Sequence, residues 1–442
     1  MHRSLLRLAV FLFILSSFLL VTPPGVPVGA SDAATTGTPQ VETRGPSGER
    51  GTAARSAEAS GAAGRKHWKE RLDNIVGGRP VGVSVRLGNR YLYNWDARQR
   101  RAPASNEKLL MSMALFDAID PTSKMETKVA ADRLRAHKIV GDLWLIGRGD
   151  PSLTGGGSYG KSLPFPPTRI SSLARQVKKL GVARITGSVR GAISYFSHDW
   201  YAPGWKSDFP AEDVPLPAAL SFEGNTAGGR HISDPELRAA RSLTRRLRAI
   251  GVKVAGGPAA GGPPQGLTTV ATVRSVPLAR IVRFTNVNSS NFFAEMLGKQ
   301  LAVLHGGTPG TIAKGAAAIE AWASSRGVTI VANDSSGLSY SNRVAPKGMV
   351  RLLETAAAEP WGGRLRSTLA SGNQGTLEGR LYGVRLRAKT GTLVGHSSLS
   401  GYVFLRRLET WASFSIISEG IEKSTAVDIE DRIVTLLEKR AG

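Results

Sequence analysis

The chain has 442 residues, no cysteine and a formal net charge of +24 at pH 7. This length is enough to bury a large core and to form two or three domains. The absence of cysteine excludes disulfides, thiol catalysis, cysteine-based zinc sites and lipidation of an N-terminal cysteine. The positive charge predicts adhesion to polyanions, but alone it does not choose among nucleic acid, anionic lipid and anionic cell-wall polymer.

Residues 1–30 are predicted to be a signal peptide. A basic start that contains Arg3 and Arg7 precedes an almost purely apolar run over 8–21, and small residues at 28–30 suit a signal peptidase. The alternative is an uncleaved membrane anchor, although the apolar run is short for a span. Removal of these residues takes away two arginines and no acidic residue, so the charge of +24 falls by 2 to +22. An exported, extracytoplasmic protein meets the polyanions of the cell envelope, and this location argues against nucleic acid as a partner.

Residues 31–65 are predicted to be a flexible linker. Of the 34 positions from 31 to 64, 25 are Gly, Ala, Ser, Thr or Pro, and Val41 is the only large apolar residue. Such a segment cannot bury a core. We expect folded structure to begin near Lys66 with an amphipathic helix over 68–76.

A β-hairpin is predicted next, immediately before Pro103 and Ser105. Residues 81–87 alternate as in a strand, Gly88-Asn89 is a tight-turn dipeptide, and residues 91–93 belong to the returning strand. We place this hairpin in the first part, 66–123, of a split catalytic domain.

Residues 124–275 are predicted to be an inserted accessory region in which strands and helices alternate. Strands are expected over 139–146, 185–193 and 252–255, and helices over 168–180 and 235–250. Asp234-Pro235 is a helix start, because proline suits the first helical turn. This alternation indicates an α/β insert.

Residues 276–442 are predicted to be the second part of the split catalytic domain. Helices are expected over 291–304, 311–325, 344–359 and 426–439, and strands over 384–389, 397–405 and 411–418. We expect one sheet that takes strands from 81–94 and 384–418, with both chain ends packed on it. A helical lobe is expected to carry Ser105 and Ser289.

Three short motifs occur in an order that has chemical meaning. Ser105 and Lys108 lie three residues apart at the start of an apolar helical run, and the later motifs are Ser289-Ser290-Asn291 (S-x-N) and Lys389-Thr390-Gly391 (K-T-G). Residues i and i+3 share a helix face, so the serine hydroxyl and the lysine amine come within hydrogen-bond reach. S-x-x-K alone is common by chance, but the ordered set is that of penicillin-binding proteins and serine β-lactamases.

Four residues of the first two motifs have predicted roles in acyl transfer. Ser105 is the predicted nucleophile and Lys108 the predicted base, because burial and the nearby Lys389 both lower the pKa of an amine. Ser289 is expected to relay a proton to the leaving amine. Asn291 is expected to hold the base and to bond the substrate amide, since an amide side chain both donates and accepts.

The K-T-G element is predicted to bind the substrate. Lys389 supplies a positive charge for a substrate carboxylate, Thr390 adds a hydroxyl, and Gly391 leaves room for an extended peptide beside an edge strand. The backbone N–H groups of Ser105 and Thr392 form the predicted oxyanion hole. No cofactor is expected for this chemistry.

Other kinds of site are less well supported by the sequence. Residues 155–162 fit the phosphate-loop pattern letter by letter, but the prolines after Leu163 cannot open the helix that such a loop requires. The seven histidines show no H-x-x-x-H or H-E-x-x-H spacing, so a zinc peptidase is disfavoured and no metal site is expected. Trp200 and Trp205 are expected to pack together, with a substrate groove as the alternative.

The chain resembles a known family, the low-molecular-mass class C penicillin-binding proteins, which are D-alanyl-D-alanine carboxypeptidases/endopeptidases. The similarity covers about residues 68–440 and extends beyond the three catalytic motifs. It includes residues 103–109, 141–145 with 149–151, 288–291 with 294–295, 334–339 with 342–343, 375–377 and 388–393. One departure is Ser290, which stands where many relatives have Asp.

The resemblance implies a fold and an activity. The fold is α/β (α+β), a penicillin-binding-protein/β-lactamase-like transpeptidase fold with an antiparallel sheet flanked by helices, a helical lobe and an inserted α/β region. The activity is cleavage of D-Ala-D-Ala or cross-bridge bonds in peptidoglycan stem peptides, with β-lactam antibiotics as covalent inhibitors. The alternatives are a β-lactamase or esterase of the same fold and, less favoured, a non-catalytic protein that binds anionic cell-wall polymers.

Overall fold

The computed structural model describes residues 67–441. The signal peptide predicted over 1–30 and the linker predicted over 31–65 lie outside the described residues. Within the described part of the chain, no helix is both long and apolar enough to cross a membrane.

Residues 67–441 form strands and helices in alternating groups. The strands are β1 (Val81–Leu87), β2 (Arg90–Trp95), β3 (Glu126–Arg135), β4 (Lys138–Gly147), β5 (Arg184–Ile185), β6 (Val189–Ala192), β7 (Thr226–Ala227), β8 (Arg230–His231), β9 (Lys253–Val254), β10 (Ala259–Gly261), β11 (Thr268–Arg274), β12 (Leu386–Leu393), β13 (His396–Leu405) and β14 (Thr410–Glu419). The helices are α1 (67–76), α2 (Glu107–Ala118), α3 (Ser158–Ser162), α4 (Ile170–Lys179), α5 (Phe209–Glu212), α6 (Pro235–Ala249), α7 (Leu278–Asn288), α8 (Asn291–Gly306), α9 (Ile312–Ser325), α10 (Pro346–Ala358), α11 (Gly362–Thr368) and α12 (Lys423–Arg440).

The first sheet joins both ends of the described chain. It is antiparallel in the order β12-β13-β14-β1-β2, and Val81 of β1 pairs with Ser418 of β14. Helices α1 and α12 pack on it through apolar side chains such as Leu72 and Ile433, and the helical lobe contacts it through Tyr402 and Ile417. Because both faces are covered, β13 and β14 are buried along most of their length and lack the alternating polar face of a half-exposed sheet. The structure therefore has the sheet that the sequence predicts.

A second sheet lies between α2 and α7 in the chain. Its main path is β10-β6-β4-β3-β11, and β5 and β9 lie off this path. β3 pairs antiparallel with β4 and β11, whereas β4 with β6 and β6 with β10 are parallel. Helices α4 and α6 pack on this sheet through apolar residues such as Leu173 and Leu243. This part of the chain alternates helix and strand, as expected.

Two features of the second sheet differ from the sequence prediction. The sequence analysis does not predict β3 or β11, because residues 132–135 of β3 and 268–269 of β11 are exposed and lack a strand-like apolar alternation. The single strand predicted over 185–193 is wrong, since it is divided between β5 and β6. At the break, the Asp142 carboxylate accepts from the Ser188 N–H at 2.7 Å, and the chain passes so closely that a Cβ on Gly187 would lie 2.3 Å from that carboxylate.

Helix α2 is the centre of the helical lobe. Each of its residues from Glu107 to Phe116 is buried, and the lobe's apolar core also takes side chains from α7 to α11. A helix buried on all sides depends on its neighbours for stability rather than on an amphipathic pattern. Since α2 begins directly after Ser105, the lobe fixes the position of that serine relative to the first sheet.

Phe414 tests the core of the first sheet. Its β14 side chain is fully buried in an apolar cluster, so Phe414→Ala is expected to lower the free energy of unfolding by about 3–5 kcal/mol through the cavity it leaves. Urea unfolding measures this loss. The matched control is Tyr382→Ala, where the side chain is 67% exposed and a change below about 0.5 kcal/mol is expected. Equal losses in the two variants would contradict this core.

Candidate active site

A three-residue 3-10 turn, Ala104–Asn106, carries Ser105 into the start of α2. Ala104 has a φ of +47°, which an L-residue rarely adopts. Gly337 packs against this residue, since a Cβ on Gly337 would lie 1.9 Å from the Ala104 carbonyl oxygen. Strained backbone of this kind persists only where the surrounding structure holds it. The position of Ser105, the candidate nucleophile, is therefore imposed by packing and not by local preference.

Lys108 is fully buried, and its amine contacts three oxygen atoms. Nζ lies 3.0 Å from Ser105 Oγ, 2.8 Å from Asn291 Oδ1 and 2.5 Å from the Ser336 carbonyl oxygen. Burial lowers the pKa of Lys108 to about 8, although nearby carboxylates oppose the shift. A substantial neutral fraction at mild pH allows this amine to accept the proton of Ser105.

Two buried carboxylates fix the loop whose carbonyl accepts from this amine. Glu295 Oε1 accepts from the N–H groups of Ser335 and Ser336 at 3.0 and 2.7 Å, and burial raises the pKa of Glu295 to about 7. Asp334 Oδ2 accepts from Trp205 Nε1 at 2.7 Å. Trp205 is buried in an apolar cluster, so it packs rather than lines a groove. The segment that contains Trp205 is therefore hydrogen-bonded to the loop whose Ser336 carbonyl accepts from Lys108, the candidate base.

The S-x-N element occupies the turn between α7 and α8. Ser289 ends α7 with a left-handed backbone, φ +55°, and its Oγ accepts from Lys389 Nζ at 2.8 Å. Ser290 caps α8, because its Oγ accepts from the Phe293 N–H at 3.3 Å. Serine and aspartate are comparable helix N-caps, so the Ser290 noted as a departure in the sequence analysis still caps this helix. Asn291 then begins α8.

Lys389 is a second fully buried lysine at the same site. Its Nζ donates to Ser289 Oγ and to the Thr390 carbonyl, both at 2.8 Å. Burial, together with the charges of Lys108 and Lys423, lowers the pKa of Lys389 well below its usual value. Two buried amines that repel each other titrate as a pair, so protonation of one disfavours protonation of the other.

The K-T-G element lies on the edge strand β12. The strand predicted to end at Lys389 in fact continues to Leu393; the prediction was too short because the Thr-Gly pair resembles a turn. Ala388 exchanges both backbone bonds with Ala370, which lies outside the sheet edge. Strand residues two apart face the same way, so the backbone groups of Thr390 and Thr392 point toward the edge that no described strand pairs with.

Gly391 is required by the turn that carries Ser105. A Cβ at this position would lie 2.2 Å from Ser398 Oγ and 2.7 Å from the Pro103 carbonyl oxygen. Ser398 Oγ donates to that same carbonyl at 2.6 Å, and the Asn106 side chain donates to Ser398 Oγ. The sequence analysis explained this glycine by the approach of a substrate peptide. The structure gives a further reason, because the glycine lets the turn pack directly on β12 and β13.

Sequence reasoning missed several residues that complete the site. Thr390 Oγ1 bonds Thr376 Oγ1 at 2.7 Å, and Lys423 Nζ donates to Ser397 Oγ at 2.7 Å behind the K-T-G strand. Burial raises the pKa of Glu107 well above its usual value, next to the candidate base. Family resemblance had singled out the stretch 375–377, but nothing in its residue types indicated the contact that Thr376 makes with Thr390.

The glycine loop at 155–157 is not a phosphate loop. Glu223 Oε1 accepts from the N–H groups of Gly155 and Gly157 at 2.7 and 3.3 Å and from the Thr154 hydroxyl at 2.8 Å. The donors that would bind a phosphate are therefore used by a carboxylate of the chain itself. The segment then forms only the five-residue helix α3.

A serine–lysine pair at the start of a buried helix, next to an edge strand that carries K-T-G, defines the class of penicillin-binding proteins and serine β-lactamases. The model of the D-Ala-D-Ala carboxypeptidase 3 (S13) family matches residues 71–228 and 220–440, and the chain belongs to this family. The enzyme class expected from the sequence, a serine-type D-Ala-D-Ala carboxypeptidase, is thereby confirmed.

Individual relatives match most of the chain. A D-alanyl-D-alanine carboxypeptidase of Actinomadura sp. (strain R39) is 27% identical over 465 residues, which cover 84% of this chain and 82% of the relative. A carboxypeptidase of Mycobacterium tuberculosis is 31% identical over 340 residues, covering 72% and 70%. The crystal structure of penicillin binding protein 4 from Haemophilus influenzae has a TM-score of 0.71 at 21% identity and covers 83% of this chain and 99% of that chain. This likeness confirms the expected fold.

Gly391→Ala tests the packing of the nucleophile turn. The added methyl group must displace Ser398 or Pro103, so the rate of acylation by a penicillin is expected to fall on the order of 100-fold through misplacement of Ser105. Stopped-flow acylation measures the rate, and circular dichroism verifies that the variant is folded. Gly363→Ala is the control, since a Cβ there meets nothing within 4 Å. An unchanged rate in a folded Gly391→Ala variant would show that the contact has no effect on catalysis.

Proposed function

We propose that the chain is an exported enzyme that cleaves D-Ala-D-Ala bonds of peptidoglycan stem peptides through an acyl-enzyme intermediate on Ser105. The observation that carries the proposal is the 3.0 Å distance between Ser105 Oγ and the buried Nζ of Lys108. β-Lactams are strained acyl donors that carry a carboxylate, so they acylate the same serine and act as covalent inhibitors.

Acylation begins when neutral Lys108 accepts the Ser105 proton and Oγ attacks the carbonyl carbon of the penultimate D-Ala. The N–H groups of Ser105 and Thr392 stabilise the oxyanion, in keeping with the orientation of the Thr392 backbone toward the open edge of β12. Ser289 relays the proton from Lys108 to the amine of the terminal D-Ala as its C–N bond breaks, which returns Lys108 to its neutral form. Water then hydrolyses the ester, with the same lysine as base.

The substrate carboxylate is bound by Lys389 and the Thr390 hydroxyl, and Asn291 bonds the substrate amide. Burial and the charge of Lys108 disfavour a proton on Lys389. A carboxylate acts in the opposite direction, because an anion beside an amine raises its pKa. A protonated Lys389 then disfavours protonation of Lys108 through charge repulsion. A ligand with a free carboxylate therefore favours the neutral form of Lys108 that the reaction needs.

Export and a divided catalytic domain complete the proposal. Removal of 1–30 leaves the charge of +22, which suits adhesion to anionic cell-wall polymers. The assignment of 66–123 and 276–442 to one catalytic domain is supported by the first sheet, which takes strands from both. The second sheet lies within 124–275 and supports the assignment of these residues to an accessory region.

Purified muropeptides separate the two peptidase activities. Loss of one terminal D-Ala from monomers is the expected carboxypeptidase reaction, and conversion of cross-linked dimers to monomers is the endopeptidase reaction. Mass spectrometry distinguishes the products. A folded protein that performs neither reaction would contradict the proposed substrate.

Ser105→Ala is expected to abolish covalent labelling by a fluorescent penicillin, because no acyl-ester can form. Intact-mass spectrometry of the parent protein should show one penicillin adduct, and peptide mapping should locate it on Ser105. Ser367→Ala, a change of an exposed serine, is the control and should label normally. An adduct that turns over within seconds would favour a β-lactamase or esterase instead.

The acylation rate should depend on pH through Lys108. Since its pKa is lowered to about 8, the neutral fraction, and with it the acylation rate, is expected to fall below pH 8 and to approach a loss of about tenfold per pH unit below about pH 7. Stopped-flow rates with benzylpenicillin between pH 6 and 9 measure the profile. Lys108→Arg, whose guanidinium stays charged, should be inactive across the whole range. A flat profile would argue against Lys108 as the base.

A further inference from the structure

A polar cleft lies in the accessory region, away from the three catalytic motifs in sequence. Its walls are one face of α6, the glycine loop from Gly155 to Tyr159, and the hairpin of β7 and β8. The cleft has a volume of about 650 Å³, which falls within the range of sites that take ligands of several rings or repeat units. The carboxypeptidase reaction assigns no role to this cleft.

Helix α6 is unusually rich in positive charge. It contains five arginines, at positions 238, 241, 245, 246 and 248, and none of them forms a salt bridge with a carboxylate of residues 67–441. Three of the five, Arg238, Arg245 and Arg246, line the cleft. A cluster of guanidinium groups without acidic partners repels itself, so it favours an anion from outside the chain.

Two of these arginines reach from α6 to the other two walls of the cleft and are hydrogen-bonded there. Arg238 donates to the Thr226 carbonyl of the hairpin, and its guanidinium lies 5.8 Å from the ring centre of Phe222. Arg246 Nη2 donates to the Gly155 carbonyl at 2.7 Å. Each of these bonds uses only one of the five guanidinium N–H groups. The remaining donors are oriented in advance, which lowers the entropy that a ligand must supply on binding.

The acidic residue in the cleft does not neutralise the arginines. Glu223 Oε1 is occupied by the Gly155 and Gly157 N–H groups and the Thr154 hydroxyl. Three arginines and one glutamate leave the lining with a formal charge of +2. The glycine loop therefore forms one wall of the cleft, and its N–H groups bind the one carboxylate of the lining.

We propose that this cleft binds a segment of an anionic polymer through its phosphate or carboxylate groups. The planar fork of arginine matches both groups in a two-point hydrogen-bonded geometry. The volume of the cleft, and three arginines spread over about two turns of α6, fit a segment with more than one anionic group rather than a single ion. This inference names the site of the polymer adhesion proposed above, and it is independent of the catalytic roles of Ser105 and Lys108.

Binding of defined polymers to the full chain tests the cleft. The probes are a synthetic glycerol phosphate oligomer and a polygalacturonate oligomer of equal charge, which distinguish phosphate from carboxylate sources. The cleft variant is Arg245→Gln with Arg246→Gln. The control, Arg175→Gln with Arg184→Gln, removes the same charge from exposed arginines of the accessory region that do not line the cleft. Isothermal titration calorimetry measures the Kd and the number of sites.

The cleft variant should bind at least one polymer about tenfold more weakly, equivalent to ~1.4 kcal/mol, and the control less than about twofold more weakly. Both should keep the parent rate of acylation by penicillin, so failure of catalysis and failure of the cleft are read separately. Equal losses in the two variants would mean diffuse electrostatic adhesion and would overturn the proposal. So would absence of binding by the parent protein, or tighter binding of a single-stranded oligonucleotide of the same charge.

Discussion

The burial of Lys108 is the constraint on which the rest of the site depends. An ammonium group that is removed from water needs other hydrogen-bond acceptors. For Lys108 these acceptors are Ser105 Oγ, Asn291 Oδ1 and the Ser336 carbonyl. Each of these is fixed in turn: the serine by a strained turn, the asparagine by the start of α8, and the carbonyl by the Glu295 carboxylate. The reactivity of one side chain therefore rests on contacts from the lobe, the first sheet and the accessory region.

The two buried lysines connect binding to catalysis. Both amines are fully buried, and the charge of Lys108 adds to the effect of burial in lowering the pKa of Lys389. A ligand without a carboxylate leaves the proton free to reside on Lys108, where it blocks the base. The proposed mechanism therefore predicts that selectivity for peptides with a free terminal carboxylate depends on the position of a proton as well as on the shape of the groove.

The local sequence was enough to predict the candidate catalytic residues and much of the first sheet. It was not enough to predict the contacts between distant segments. Ser105, Lys108, Asn291 and Lys389 were identified because motif spacing reports chemistry directly, and their roles stay predictions. The Ser336 carbonyl could not be found, since every residue has a carbonyl and only tertiary structure selects one. The sequence analysis missed β3 and β11 because their polar, exposed ends hide the strand pattern. It predicted too short a β12 because Thr-Gly favours a turn, and packing in the sheet overrides that preference.

The contact between Gly391 and Pro103 has a consequence for drug resistance. The strand proposed to align the substrate and the turn that carries Ser105, the candidate nucleophile, touch without room for a methyl group. A substitution that reshapes the strand to exclude an antibiotic also moves the serine that must attack the natural peptide. The proposed roles therefore predict that escape from β-lactams through this strand is coupled to loss of cell-wall processing, and that selection would have to act on more distant parts of the groove.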